Sequence, residues 1–162
     1  MATRKKLEIE YSEYNNINDL LPPDKLLLER AIEAIHGSYA PYSHFNVGAA
    51  VLLENGEIIA AANQENAAYP SGLCAERSTL FYAHSKFPNV PIKAIAIAAK
   101  EGGALTKLPV YPCGACRQVM HETQFRAKKS IKVIMGGASR IEIVESVLDL
   151  IPFAFDNLYG NI

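Results

Sequence analysis

"PIKAIAIAAK", residues 91–100, is a continuous apolar run rich in β-branched residues, and its reading decides the fold. A strand without a polar face is one covered by other layers on both sides. Helical patterns flank it. Upstream, "SGLCAERSTLFYAH" (71–84) turns helical from about Cys74 to His84; downstream, residues 113–123 form a second helix and "IKVIM" (131–135) another strand. Further out, "NVGAAVLL" and "IIAAAN" surround Glu54-Asn55-Gly56-Glu57, a strong hairpin signal. "RIEIV" (140–144) is the last strand, and "ESVLDLIP" (145–152) a short helix stopped by Pro152. Pro22-Pro23-Asp24 starts a helix carrying Leu27, Leu28, Ala31, Ile32 and Ile35 at helical spacing, and Gly37 ends it. Strands alternating with helices indicate an α/β layered sheet, made mixed by the early hairpin.

Before that helix lies an arm, residues 1–22, distinct from a single domain over 23–162. Leu7, Ile9 and Tyr11 alternate with polar residues, which suits a short edge strand or a loose arm.

The 162 residues are 49% apolar and 20% charged, with a net charge of −1. A grip on polynucleotides calls for a basic face, and this balance supplies none, so neither DNA nor RNA is expected as partner. No apolar run approaches the length of a membrane span. The basic start is followed by Leu-Glu-Ile-Glu instead of a signal-peptide core, which places the protein in the cytoplasm. Three cysteines cannot all pair, and in that setting they favour metal or redox chemistry.

Two turns carry those cysteines: Cys74-Ala75-Glu76-Arg77 and Pro112-Cys113-Gly114-Ala115-Cys116. Cys113 and Cys116 are spaced to fall on one side of a helix start, where the dipole favours thiolate. Three thiolates together need a cation, and zinc is the natural one. Three protein ligands leave a fourth position for water, whose pKa zinc lowers from about 16 towards ~7. Glu76, two residues beyond Cys74, approaches that water without ligating the metal and serves as the proton shuttle. Arg77 adjoins the site and can donate to the sulfurs. A buried cysteine alone is usually a small hydrophobe, and a glutamate at a helix start usually a dipole-compensating surface residue. The combination favours function.

These residues resemble the zinc-dependent nucleoside deaminases, and specifically the small cytidine deaminases, a class whose Pro-Cys-x-x-Cys signature and glutamate acid/base are general knowledge. "YAPYSHFNVGAAVL", "NQENAAYPSGLCAERSTLF", "PCGACRQVM" and "DLIPFAF" carry the likeness in order, over roughly residues 39 to 155. The resemblance implies a three-layer α/β/α fold around a central mixed five-stranded sheet, one zinc per chain, and hydrolytic deamination of cytidine and deoxycytidine within pyrimidine salvage. It implies that Asn63 and Glu65 bind the ribose hydroxyls, that Phe45 packs on the pyrimidine ring, and that Ala75 contacts the substrate. Phe155 would reach the site of a neighbouring subunit in a homotetramer with shared active sites. Gln64 and Ala68 depart from the family's usual residues without touching these roles. His44 is assigned to the loop, while His36, His84 and His121 are expected at the surface or at helix ends. Two other readings remain open: a deaminase of another aminated heterocycle, such as blasticidin or an RNA base, and a structural zinc module with His121 or another residue as fourth ligand.

Overall fold

A computed structural model describes residues 2–156. The apolar run at its centre is β4 (Ile92–Glu101), buried from Ala94 to Ala99. Strand periodicity sends its alternate side chains to opposite faces. Ala94, Ala96 and Ala98 meet one hydrophobic cluster, and Ile95 and Ile97 the other. On the alanine side lies α1 (Pro22–Ala34), which buries Leu27, Leu28 and Ala31. On the isoleucine side lie α2 (Ala75–Lys86) and α3 (Gly114–Ala127), contributing Leu80, Ala83, Cys116 and Met120. Three layers result, as expected.

The other strands are β1 (Ser12–Tyr14), β2 (Asn46–Leu53), β3 (Ile58–Ala62), β5 (Ala104–Leu105), β6 (Lys132–Gly136) and β7 (Ile141–Val144). Their order is β1-β7-β6-β4-β2-β3, with β5 pairing β4, so the sheet has seven strands and not five. The two unexpected ones, β5 and β1, span two and three residues, too few for periodicity to register. β1 is held by its antiparallel ladder with β7, and the alternating stretch Leu7–Tyr11 that suggested a strand lies just before it, outside any strand. β4 and β6 pair in parallel, and the other neighbours are antiparallel. The hairpin turns at Gly56, whose φ of 88° suits glycine.

Small residues let α1 approach the sheet closely. A Cβ on Gly48 would stand 2.1 Å from the Ala31 carbonyl oxygen, and one on Gly136 would stand 2.5 Å from Leu28 Cδ1. On the other face, α2 and α3 run side by side. Cys74 meets Cys113 at one end, and His84 Nε2 lies 3.2 Å from Thr123 Oγ1 at the other.

"ESVLDLIP" forms only a 3₁₀ turn, Val147–Asp149, in place of the expected helix. The Ser146 hydroxyl caps it by accepting from Leu148 N, and Gln124 Oε1 accepts from Val147 N, so polar anchoring replaces helical propagation. His121 corrects a second expectation. It is buried, at 3% exposure, because the chain after Pro152 returns over α3: Gln118 donates to the Phe155 carbonyl at 2.7 Å, and Asp156 lies 3.5 Å from His121 Nε2. Among the described residues, no helix is long and apolar enough to cross a membrane.

Candidate active site

Cysteine occupies the N-cap of both α2 and α3, Cys74 and Cys113, in extended backbone without a capping side-chain bond. Ser, Thr, Asp or Asn would satisfy the exposed helix N–H groups better. Two helices therefore forgo an oxygen cap and gain a sulfur at each positive end, where thiolate is favoured. Cys116, one turn into α3, completes the group. The Sγ atoms of Cys74 and Cys113 are 3.9 Å apart, those of Cys113 and Cys116 3.5 Å, and all three lie within 4.8 Å of one another. Sulfurs on a tetrahedral zinc at about 2.3 Å stand roughly 3.8 Å apart, so the cluster fits that ion. Among the described residues these three are the only His, Cys, Asp or Glu group that could hold a metal, and His121 is not in it.

The electrostatics make Cys74 the anion of the group and leave Cys116 and Glu76 inclined to hold protons. The Cys74 thiol is drawn down to about 5, first by a hydrogen bond from Cys116 and further by the Arg77 guanidinium. That same hydrogen bond with Cys74, and after it burial, push Cys116 up. Arg77 Nη2 lies 3.9 Å from Cys74 Sγ and donates to the Gly72 carbonyl at 3.4 Å, bracing the turn that presents Cys74. Glu76, 4% exposed, is held above the usual carboxylate range, mainly by burial and also by the Cys74 charge. Cys116 and the Arg77 guanidinium act in the opposite sense, drawing the carboxyl down by less. A carboxyl inclined to hold a proton, beside the sulfur cluster, is suited to general acid–base work.

Beside the cluster opens a cavity of about 500 Å³, a volume ordinary for small-molecule sites. Tyr42, Asn63, Glu65, Tyr69, Cys74 and Arg77 line it. The structure thus brings Asn63 and Glu65 together with a metal-ligand candidate. Both side chains also hold the loop before β2. Asn63 Oδ1 accepts from Ser38 Oγ at 2.6 Å and Val47 N at 2.9 Å, while Nδ2 donates to the Phe45 carbonyl at 2.9 Å. Glu65 Oε2 accepts from the amides of Tyr42 (3.0 Å) and Ser43 (3.2 Å), and Oε1 accepts from the Ser43 hydroxyl. The Ser43 bond leads in holding the Glu65 carboxyl below its usual range.

Phe45, half-buried, does not line this cavity. Neither does Ala75, which is fully buried behind the Cys74 turn, nor Phe155, which stands 66% exposed on the tail. Sequence reasoning missed Ser43 and the edge-to-face pair Tyr42–Tyr69, at 6.2 Å between centroids. The tyrosines of "YAPYS" and "NAAYP" were the available signal. A larger concavity, about 910 Å³, runs along edge strand β3 past Arg30 and Glu57, and none of the candidate site residues lines it.

Residues 22–132 match the model of the cytidine and deoxycytidylate deaminase zinc-binding region. The cytidine deaminase of Halalkalibacterium halodurans is 44% identical over 131 residues, which is 81% of this chain and 92% of that protein. The crystal structure of a cytidine deaminase from Burkholderia pseudomallei superposes with a TM-score of 0.67 at 38% identity, covering 80% of this chain and 97% of that one. The cytidine deaminase structure from Mycobacterium tuberculosis gives 0.65 at 31% identity, over 82% and 96%.

Proposed function

We propose that this chain, which belongs to the cytidine and deoxycytidylate deaminase family, acts as a zinc-dependent hydrolase that converts cytidine to uridine and ammonia. The observation that carries the reading is three sulfurs spaced for zinc, with the Glu76 carboxyl at one of them and a cavity at another. Deoxycytidine is the second substrate of the same reading.

Cys74, Cys113 and Cys116 would hold one zinc ion. When bound, zinc supplies a Lewis acid that makes an attacking water available at neutral pH. The chain's own groups do the rest. Glu76 takes a proton from the attacking water and delivers it to N3 of the pyrimidine; it then takes the remaining proton from the new C4 hydroxyl and passes it to the 4-amino group, which leaves as ammonia as the C4 carbonyl forms. Its burial favours the protonated form needed for the deliveries to N3 and to the amino group. Arg77 keeps Cys74 anionic and steadies its turn. Asn63 and Glu65 receive the ribose, their hydrogen bonds to residues 38–47 fixing them before substrate arrives. Ala75 contributes through the backbone at the helix start, since its methyl is buried.

Phe45 covers the pyrimidine after a small movement of its loop, and Phe155 serves a neighbouring subunit in a homotetramer. Support for that assembly comes from large apolar side chains left exposed on the tail and on α2 and α3: Phe153 (92%), Phe155 (66%), Tyr82 (54%) and Phe125 (46%). Action in the cytoplasm, in pyrimidine salvage, follows from the same reading. Neither another heterocycle nor a structural zinc module is favoured, since the family match and the cavity beside Cys74 both point to a small nucleoside.

The test is the fall in ultraviolet absorbance of cytidine, with a cytosine-containing RNA oligonucleotide offered alongside. Zinc-loaded protein is expected to consume cytidine, release ammonia stoichiometrically and leave the RNA unchanged. Inert cytidine, or deaminated RNA in its place, would overturn the assignment.

A further inference from the structure

Residues 2–11 precede the stretch matched by the family model, lie outside every helix and strand, and are exposed throughout. Their charges are sorted along the chain: Arg4, Lys5 and Lys6 come first, then Glu8 and Glu10. Leu7, Ile9 and Tyr11, exposed at 58%, 49% and 56%, alternate with these. In extended backbone, even-numbered residues therefore present a charged face and odd-numbered ones a largely apolar face. The ion pair between Lys6 and Glu8, two residues apart, fits such an extended chain. Directly after the arm, β1 pairs with β7 at the edge of the sheet, so the arm leaves the body already in strand direction.

We propose that the arm is a homotypic docking strand, which pairs antiparallel with the same arm of a second copy of this chain about Leu7. In that register Arg4 stands opposite Glu10, Lys6 opposite Glu8, Leu7 opposite Leu7, and the stem of Lys5 covers Ile9. Each of the four charges on the even-numbered face meets one opposite charge on the other strand, four pairs in all. A half-step towards the C-terminus sets Leu7 against Glu8. A full step sets Glu8 against Glu8, and a full step the other way sets Lys6 against Lys6. Parallel pairing in register stacks like charges along the whole strand. Cross-strand pairs of opposite charge stabilise and like charges opposite one another destabilise, so a single register is selected. The pairing satisfies the backbone of an edge-continuing strand and joins two sheets through one ribbon. A two-stranded ribbon alone is marginal, so the contact is weak and sensitive to salt. Its use is to cluster copies of the enzyme, and it is independent of the deaminase chemistry.

Mild oxidation of the full-length, zinc-loaded chain carrying Leu7→Cys is expected to trap a disulfide-linked dimer on a non-reducing gel. Arg4→Cys, which faces Glu10 in this register, is expected to trap little, as is the unsubstituted chain. Arg4→Glu with Lys6→Glu makes the charged face wholly acidic, and Glu8→Lys with Glu10→Lys makes it wholly basic. Each set, combined with Leu7→Cys, is expected to cut cross-linking about tenfold or more by placing like charges opposite one another. Mixing the acidic and basic chains is expected to restore it, with cytidine turnover unchanged throughout. Equal trapping at positions 4 and 7, or trapping indifferent to charge reversal and mixing, would overturn the pairing.

Discussion

Glu76→Gln is expected to purify with the zinc content of the unsubstituted chain and to deaminate cytidine about 10²–10⁴-fold more slowly, the contribution usual for a positioned proton carrier. Glutamine keeps the size and a hydrogen-bonding oxygen, so a residue exposed by only 4% is replaced without a cavity. What it loses is the exchangeable proton. Burial and the neighbouring sulfur anion raise Glu76 above the usual carboxylate range, which favours the acid form, and an amide has no such form. Zinc quantification beside the kinetics separates two roles. Turnover lost with zinc retained identifies a proton carrier; zinc and turnover lost together would make Glu76 a support for the sulfur cluster.

The second large effect falls on stability. Gly48→Ala is expected to destabilise the fold by about 3 kcal/mol, the upper end of ordinary overpacking. The new Cβ would meet the Ala31 carbonyl oxygen at 2.1 Å, Ile35 N at 2.8 Å and Ile35 Cγ1 at 2.9 Å. Two of these atoms are helix backbone, which no rotamer change can move aside. α1 would have to lift from β2, opening the alanine floor of Ala50, Ala94, Ala96 and Ala98 beneath it. In a domain of this size the loss amounts to roughly 6–12 °C in melting temperature. Gly37→Ala is the control, because its Cβ would meet only Ala62 Cβ at 4.0 Å and should shift melting little. Equal melting temperatures for the two variants would show that α1 does not press on the sheet at Gly48.

The fold was legible where pattern length exceeded pattern noise. β4 could be read as doubly covered because Ala94–Ala99 is apolar without a break, and the hairpin because Asn55-Gly56 supplies the required turn. β1 and β5 escaped because two or three residues carry no period; β1 also owes its pairing to partners distant in sequence, Ile141–Ile143, while β5 only folds back on the end of β4. The turn at Val147–Asp149 looked helical by composition, yet Gln124 and Ser146 hold it as a single 3₁₀ turn, a tertiary effect invisible locally. The sulfur cluster was legible because cysteine chemistry is specific and the spacing within "PCGAC" is short. The partners that Asn63 holds were not: Ser38, Phe45 and Val47 come together only when the loop folds onto β3. Burial of His121 depends likewise on the tail returning over α3.

A zinc ion held by three cysteines and open on one side is the centre of the proposed site, and X-ray absorption at the zinc edge of the purified enzyme tests it most directly. The predicted spectrum fits three sulfurs at about 2.3 Å and one lighter scatterer, and that lighter atom responds when a cytidine analogue is added. A shell with fewer than three sulfurs, or one closed by an imidazole and indifferent to the analogue, would contradict it.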